Sequence, residues 1–292
     1  MATLRELKGR IGSVASSEKI TGAMKMISSA KMHKAEGQLR QLVPFRSQVE
    51  TIISNLLSAD AKFSSPLLQQ PEVKKAMLVA WGSDDGLCGA YNVNIYKQLV
   101  DQIVKTKQLF GENVEIKVVA VGSKLAKACR KLRLSKVSVE QREGVDSKSS
   151  DDTARKFAYW LVDEFEKGEV DKIDFLYMNF ISVGRQRPKV DRFLPLTPDA
   201  FSTEKATGRP YLFEPDANTI FNRVLPLFLL SVTQEVFCEN RASEQAARVM
   251  AMQSANDNAK KLLESLQLEY NKLRQQSITT ELLDIVGGQS RE

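Results

Sequence analysis

From Leu227 to Val286 the sequence holds neither proline nor glycine. That stretch limits the fold more than any other feature. A helix from about Asn218 to about Val286 spans on the order of 100 Å. No single globular core buries a rod that long, so it must pair with another long helix or be gripped from outside. The opposite end of the chain offers the pair: Thr3 to about Leu57 contains one proline, Pro44. Leu4, Leu7, Ile11 and Val14 alternate three- and four-residue steps, the seam of a coiled coil. Ile20, Met24 and Ile27 follow after a six-residue step, which predicts a shift in heptad phase. The seam resumes at Leu39, Leu42 and Val49 and ends with Ile53 and Leu56. On the C-terminal helix the expected apolar positions include Ile220, Leu227, Val236, Ala242, Ala246, Val249, Leu262, Leu266, Leu273 and Leu283. Asn256-Asp257-Asn258 puts polar groups on all sides at mid-helix, and polar residues in a seam can fix register.

Between the two helices the pattern changes. Ser64-Ser65-Pro66 and Pro71 break the first helix. Ala76 to Trp81 and Ile116 to Gly122 read as strands, and Val137 to Val139 as a short third. Ala90 to Lys107, Lys124 to Leu134 and Asp151 to Lys167 read as helices, the last with Ser149 or Ser150 as cap. Asp174 to Val183 and Lys189 to Leu196 read as strands joined through Gly184 to Pro188, a hairpin. Strand–helix alternation predicts a Rossmann-like α/β domain with a mostly parallel sheet. The expected fold is therefore α/β plus a long antiparallel coiled coil. A coiled-coil helix occupies 1–58, the α/β domain 72–196, a connector 197–216 and the second coiled-coil helix 217–292.

A hydrophobic content of 42% and a charged content of 27% fit a soluble folded protein. The net charge is +6, with the basic excess concentrated in the first sixty residues. Nucleic-acid binders pair denser Lys/Arg clusters with aromatics for stacking, and Phe45 is the only aromatic in that segment. No nucleic-acid role is expected. The most apolar run, Val224 to Val232, falls short of the roughly 20 residues of a membrane span. Basic residues and glycine interrupt the first twenty residues, so no secretory signal is read there, and no transit peptide, which favours a bacterial chain. Cys88, Cys129 and Cys238 are odd in number and widely spaced, and read as reduced cytoplasmic thiols.

No constellation argues for chemistry. Gly82, Gly86 and Gly89 follow a strand and precede a helix, where a phosphate loop would lie, but their spacing fits neither nucleotide pattern and no Lys-Ser/Thr pair follows. A tight turn using glycine for positive φ accounts for them. His33 is the only histidine and has no apparent partner for a triad or a metal. Asp84-Asp85 and Asp151-Asp152 read as turn and cap residues. No catalytic residue, cofactor site or metal site is expected. Met24 to Met32, with small, flexible or basic side chains and no acid between Glu18 and Glu36, reads either as a solvated face or as a surface that touches an acidic partner without locking to it.

Lys19-Ile20-Thr21-Gly22-Ala23-Met24-Lys25-Met26-Ile27-Ser28-Ser29-Ala30-Lys31-Met32 resembles the N-terminal helix signature of the gamma subunit of F-type ATP synthases. Glu239 to Met252, with Ala255 and Asp257-Asn258-Ala259, is similar to its C-terminal signature, which Tyr270 to Gln275, Ser277-Ile278-Thr279 and Glu281 extend. Ser83-Asp84-Asp85-Gly86-Leu87-Cys88-Gly89 resembles the family's turn, with Asp85 where arginine is usual. Tyr211-Leu212-Phe213-Glu214-Pro215 resembles its connector. Gly22 stands where lysine is common, and the cysteine-bearing insertion of chloroplast members has no counterpart.

The resemblance implies a non-catalytic rotor of the bacterial type. The helix pair would stand as an axle inside a ring of alternating alpha and beta subunits, which carry the nucleotide chemistry. Met24, Lys25, Lys31, Arg248, Arg274, Gln275, Thr279 and Glu281 would contact that ring. Tyr211 and Glu214 would contact the membrane c-ring or the small epsilon-type stalk subunit at the foot. The chain would sit peripherally on the cytoplasmic side of the plasma membrane and would not span it. A coiled-coil scaffold with an inserted α/β module is the alternative, and a nucleotide-dependent enzyme using Gly82 to Gly89 a third.

Overall fold

A computed structural model describes residues 3–57, 63–197, 201 and 213–289, with no side-chain description beyond 285. The chain divides into two compact units, Met1–Ser28 with Arg248–Glu292, and Ser29–Ala247. Two long helices, α1 (Leu4–Leu57) and α5 (Ala217–Gln289), contribute to both. Each begins on a local hydrogen-bonding device. The Thr3 hydroxyl accepts from Glu6 N, and a Glu6 carboxylate oxygen accepts from Thr3 N, a reciprocal cap. Asp216 accepts from Thr219 N at 2.9 Å and from its hydroxyl at 2.6 Å.

The unit Ser29–Ala247 holds a five-stranded sheet, β1 (Lys75–Trp81), β2 (Glu115–Val121), β3 (Val137–Glu140), β4 (Lys172–Ser182) and β5 (Arg185–Leu194). The strand order is β3-β2-β1-β4-β5, parallel except for the β4–β5 hairpin. β1 is buried on both faces after its first residue, as a central parallel strand must be. The helices α2 (Tyr91–Phe110) and α3 (Ser123–Cys129) cover one face, setting Ile95, Leu99, Ile103 and Leu125 against Leu78, Val118 and Ala120. On the other face α4 (Asp151–Glu166), the last turns of α1 and the first turns of α5 share one core with Trp81, Phe157, Phe175, Phe221 and Phe237. By length and composition α5 is apolar enough to cross a membrane, with mean hydropathy 1.3 in its most apolar window. Phe221, Leu225, Leu229 and Phe237 of that region are instead buried in this core.

The heptad reading needs correction. Ile20 and Ile27 are 60% and 56% exposed, so neither belongs to the seam. One row of buried and half-buried positions on α1 runs Leu7, Ile11, Val14, Glu18, Thr21, Lys25, Ser28, Met32, Ala35, Leu39 and on to Leu56, in unbroken alternation of four and three. There is no phase shift; polar residues occupy the seam where apolar ones were sought. Likewise Leu227, Leu262 and Leu283 of α5 are exposed. Beyond Val249 its inward row passes through Met252, Asn256, Ala259, Leu263 and Leu266 to Leu273. Element boundaries also move. α3 ends at Cys129, not Leu134, and β5 starts at Arg185, making a tighter hairpin whose Pro188 is tolerated on an edge strand. α5 runs through Gly287 and Gly288 to Gln289.

Candidate functional site

The parallel sheet changes direction between β1 and β4, since β2 and β3 lie on one side of β1 and β4 on the other. Open sheets of this kind bind ligands in the crevice beyond the strands' carboxyl ends at that switch point. Here the crevice is filled by α5. Asn240 Nδ2 donates to the Gly82 carbonyl, just past β1, at 3.1 Å. Tyr91 at the start of α2 donates its hydroxyl proton to Asn240 Oδ1 at 2.5 Å. Ser243 donates to the Met178 carbonyl of β4 at 2.9 Å. Asn179 donates to both carboxylate oxygens of Glu239, at 3.0 and 2.9 Å. Arg241 donates to the Ser149 carbonyl at 2.7 Å and the Ser147 carbonyl at 3.4 Å. Burial pushes the Glu239 carboxyl up to about 7, against the Asn179 hydrogen bonds that favour its charged form.

Glycine lets the turns beneath α5 meet. A Cβ on Gly82 would sit 2.4 Å from Leu125 Cβ. Gly122 has φ +100°, and a Cβ there would meet Gly82 and Ser83 backbone atoms at 2.9 Å. Of the three glycines read as a possible phosphate loop, only Gly89 takes a positive φ; Leu87 shares that conformation. Asp84 ties the turns together, accepting from Ser123 N at 2.8 Å, Ser147 N at 2.8 Å and the Ser147 hydroxyl at 2.7 Å. The Asp84 carboxylate is thus committed to the chain's own atoms. Asp85 points outward and pairs with Lys148 at 2.7 Å. Beside it a groove of about 240 Å³ is lined by Lys31, Lys34, Lys148 and Arg241 with Glu244 and Gln245.

The remaining expected contact residues fall on the helices. In the unit formed by Met1–Ser28 and Arg248–Glu292, Met24 and Lys25 are half-buried, Arg248 is buried, and Arg274, Gln275, Thr279 and Glu281 are exposed. Hydroxyls on these helices turn back onto their own backbone. Ser13, Ser16 and Ser17 donate to the carbonyls four residues earlier at 3.2, 3.0 and 3.0 Å. Thr279 and Thr280 do the same at 2.9 Å, Thr279 onto Gln275. Glu214 is exposed and does not cap α5, since Asp216 does; Tyr211 lies outside the described residues. Among the described residues no group of three His, Cys, Asp or Glu could hold a metal. His33 faces Glu36 at 3.5 Å on an exposed helix surface. Sequence reasoning missed Tyr91, Asn240 and Ser243 as groups that join α5 to the α/β domain, and Asp84 as the group that joins the turns; for the first three, the run of polar residues from Glu239 to Gln245 on a helix too apolar to be solvated was the available signal.

A family model described as ATP synthase matches residues 3–290. A Bacteroides fragilis protein named ATP synthase gamma chain is 38% identical over 99% of both chains. A Chromobacterium violaceum protein of the same name is 37% identical over 99% of both. Among solved structures, a chain of the Euglena gracilis mitochondrial ATP synthase shares the fold at TM-score 0.65 and 20% identity, over 98% of this chain and 93% of that one. A chain from the central stalk and c-ring of the Tetrahymena thermophila mitochondrial enzyme shares it at TM-score 0.57 and 21% identity, over 81% and 99%.

Proposed function

We propose that the chain, which belongs to the ATP synthase gamma chain family, is the central-stalk rotor subunit of an F-type ATP synthase and works there without chemistry of its own. Proton flow through a membrane c-ring turns it, and its angular position biases the conformations of the alpha and beta subunits that make or hydrolyse ATP. Coupling of this kind requires differential contacts in each state, not a binding pocket on the rotor. The observation that carries this reading is the filled switch point. The place where a Rossmann-like sheet would take a nucleotide holds Asn240 and Ser243 of the chain's own helix.

The helix surfaces suit a part that turns against its neighbours. The hydroxyl protons of Ser13, Ser16, Ser17 and Thr279 are spent on the helix backbone, so these side chains do not donate to a surrounding subunit. Lys25, Lys31, Arg248, Arg274, Gln275, Thr279 and Glu281, with Met24, are the proposed contacts with the alpha/beta ring. Lysine suits such a contact, because a compact, mobile charge attracts an acidic loop without the bidentate fork of arginine. The foot, with Tyr211 and Glu214, is proposed to meet the c-ring or an epsilon-type subunit. The complex is membrane-associated, and the proposed position is the cytoplasmic face of a bacterial plasma membrane. Native isolation of a tagged chain tests the whole reading: it recovers alpha- and beta-type subunits with ATPase activity. Recovery of the chain alone, self-associated and without ATPase, would mark a scaffold. Glu214→Lys tests the foot. Asp216 supplies the helix cap, so the change is expected to leave the melting temperature and detached ATPase activity nearly intact while lowering proton-coupled synthesis. Equal loss of both activities, or of neither, contradicts a foot contact.

A further inference from the structure

The core that α5 shares with the sheet is apolar, and apolar packing is non-directional. It fixes which face of α5 turns inward, since a large rotation would expose Phe221, Leu225 and Phe237, but a small rotation breaks no specific partnership within it. The polar contacts of Glu239 to Ser243 differ in kind. Asn240 and Ser243 are 1% and 0% exposed, and their acceptors are backbone carbonyls of the turn after β1 and of the interior strand β4. At about 100° per residue, Glu239, Asn240, Arg241 and Ser243 together span about 200° of the helix circumference. They reach three separate places: the turn after β1, the strand β4, and the loop before α4. No axial rotation of α5 keeps all of these bonds, and each broken one orphans a buried group.

We propose that Asn240, Arg241 and Ser243 are positioning residues that lock α5 to the α/β domain against axial rotation, so that torque passes between them without slack. The assignment rests on the rotor reading. A buried polar cluster costs desolvation that an apolar seam would avoid, and a fixed orientation is what it supplies in return.

The test uses the assembled complex, with its catalytic subunits fixed to a surface, a rod attached to the α/β domain and rotation stalled by a non-hydrolysable nucleotide. Thermal fluctuation of the rod reads torsional stiffness. The double variant Asn240→Leu, Ser243→Ala is expected to raise the angular variance about twofold while leaving ATP hydrolysis per assembled complex within about twofold, since buried hydrogen bonds are lost but no catalytic contact is. Arg241→Lys keeps the charge but loses the fork, and is expected to raise the variance by a smaller amount. It decides the matter alone if the double variant does not assemble. A variance equal to that of the unaltered chain in every variant that assembles overturns the lock. If the unaltered complex hydrolyses ATP with no rotation at all, the rotor reading fails instead.

Discussion

Glu239 is 8% exposed, with Glu235 on its own helix, Asp191 and Lys189 on β5, and Asn179 on β4 around it. Burial dominates, so its folded pKa rises from 4.5 to about 7. Between those values the folded chain holds a proton that the unfolded chain has released, so stability falls as pH rises. The shift corresponds to about 3 kcal/mol, fully present below pH ~4.5 and lost by pH ~7. Glu239→Gln is expected to flatten that part of the profile and to stabilise the chain at pH 8; urea melts of both proteins at pH 5 and pH 8 would show it. An unchanged difference between the two pH values would contradict the assignment. At this scale the sequence was partly legible. The acidic pair Asp84-Asp85 was read as turn residues, and both sit in the turn, but nothing local told them apart. Asp84 binds three backbone or hydroxyl groups of other turns, while Asp85 forms an exposed pair with Lys148. That division depends on loops about 40 and 60 residues away, beyond the reach of local turn chemistry. Burial also pushes the Cys129 and Cys238 thiols up to about 12 and about 11, which leaves both inert to alkylation near neutral pH.

Among the elements, the long helices were evident from missing prolines and glycines, but their inward faces were not. Following apolar residues alone led to Ile20 and Ile27, which face outward. The real seam passes through Glu18, Thr21, Lys25 and Ser28, because a half-buried position accepts polar residues whose groups find partners or whose stems cover the neighbour. Asn256 is the clearest case. It is buried and donates to the Glu18 carbonyl at 2.7 Å and the Thr21 hydroxyl at 3.3 Å. These bonds are expected to set the register of the antiparallel pair; a Cβ at Gly22 would stand in ordinary contact, 3.4 Å from Asn256 Nδ2. Asn256→Leu is expected to change stability by roughly 1 kcal/mol or less while loosening the register. Spin labels at Ile11 and near Leu263 should give a narrow distance distribution close to the ~10 Å axis spacing of paired helices, broadened by the substitution. A distribution equally narrow in the variant would show that Asn256 does not fix the register.

The whole molecule was legible as a class: an α/β domain inserted between two long antiparallel helices. Strand order and the occupant of the switch point were not, since the order turns on β1 pairing with β4, where Ala76 meets Lys172, and the occupant on Asn240 reaching Gly82, contacts far longer in sequence than any local pattern. That occupant gives the molecule's character. With α5 seated beyond β1 and β4, the isolated chain is expected neither to hydrolyse ATP nor to bind it at micromolar concentration by calorimetry. Binding that disappears on changing Gly86 would contradict this. On the proposed function the chain turns while its partners do the chemistry. Cys88, Cys129 and Cys238 are buried, so a cysteine introduced at exposed Lys131 offers a selective attachment point for a rod. With the catalytic subunits of the complex fixed to a surface, supplying ATP should drive the rod continuously in one direction, and the motion should stop when ATP is exhausted. Sustained hydrolysis under a rod that stays still, or only fluctuates about one angle, would contradict the account.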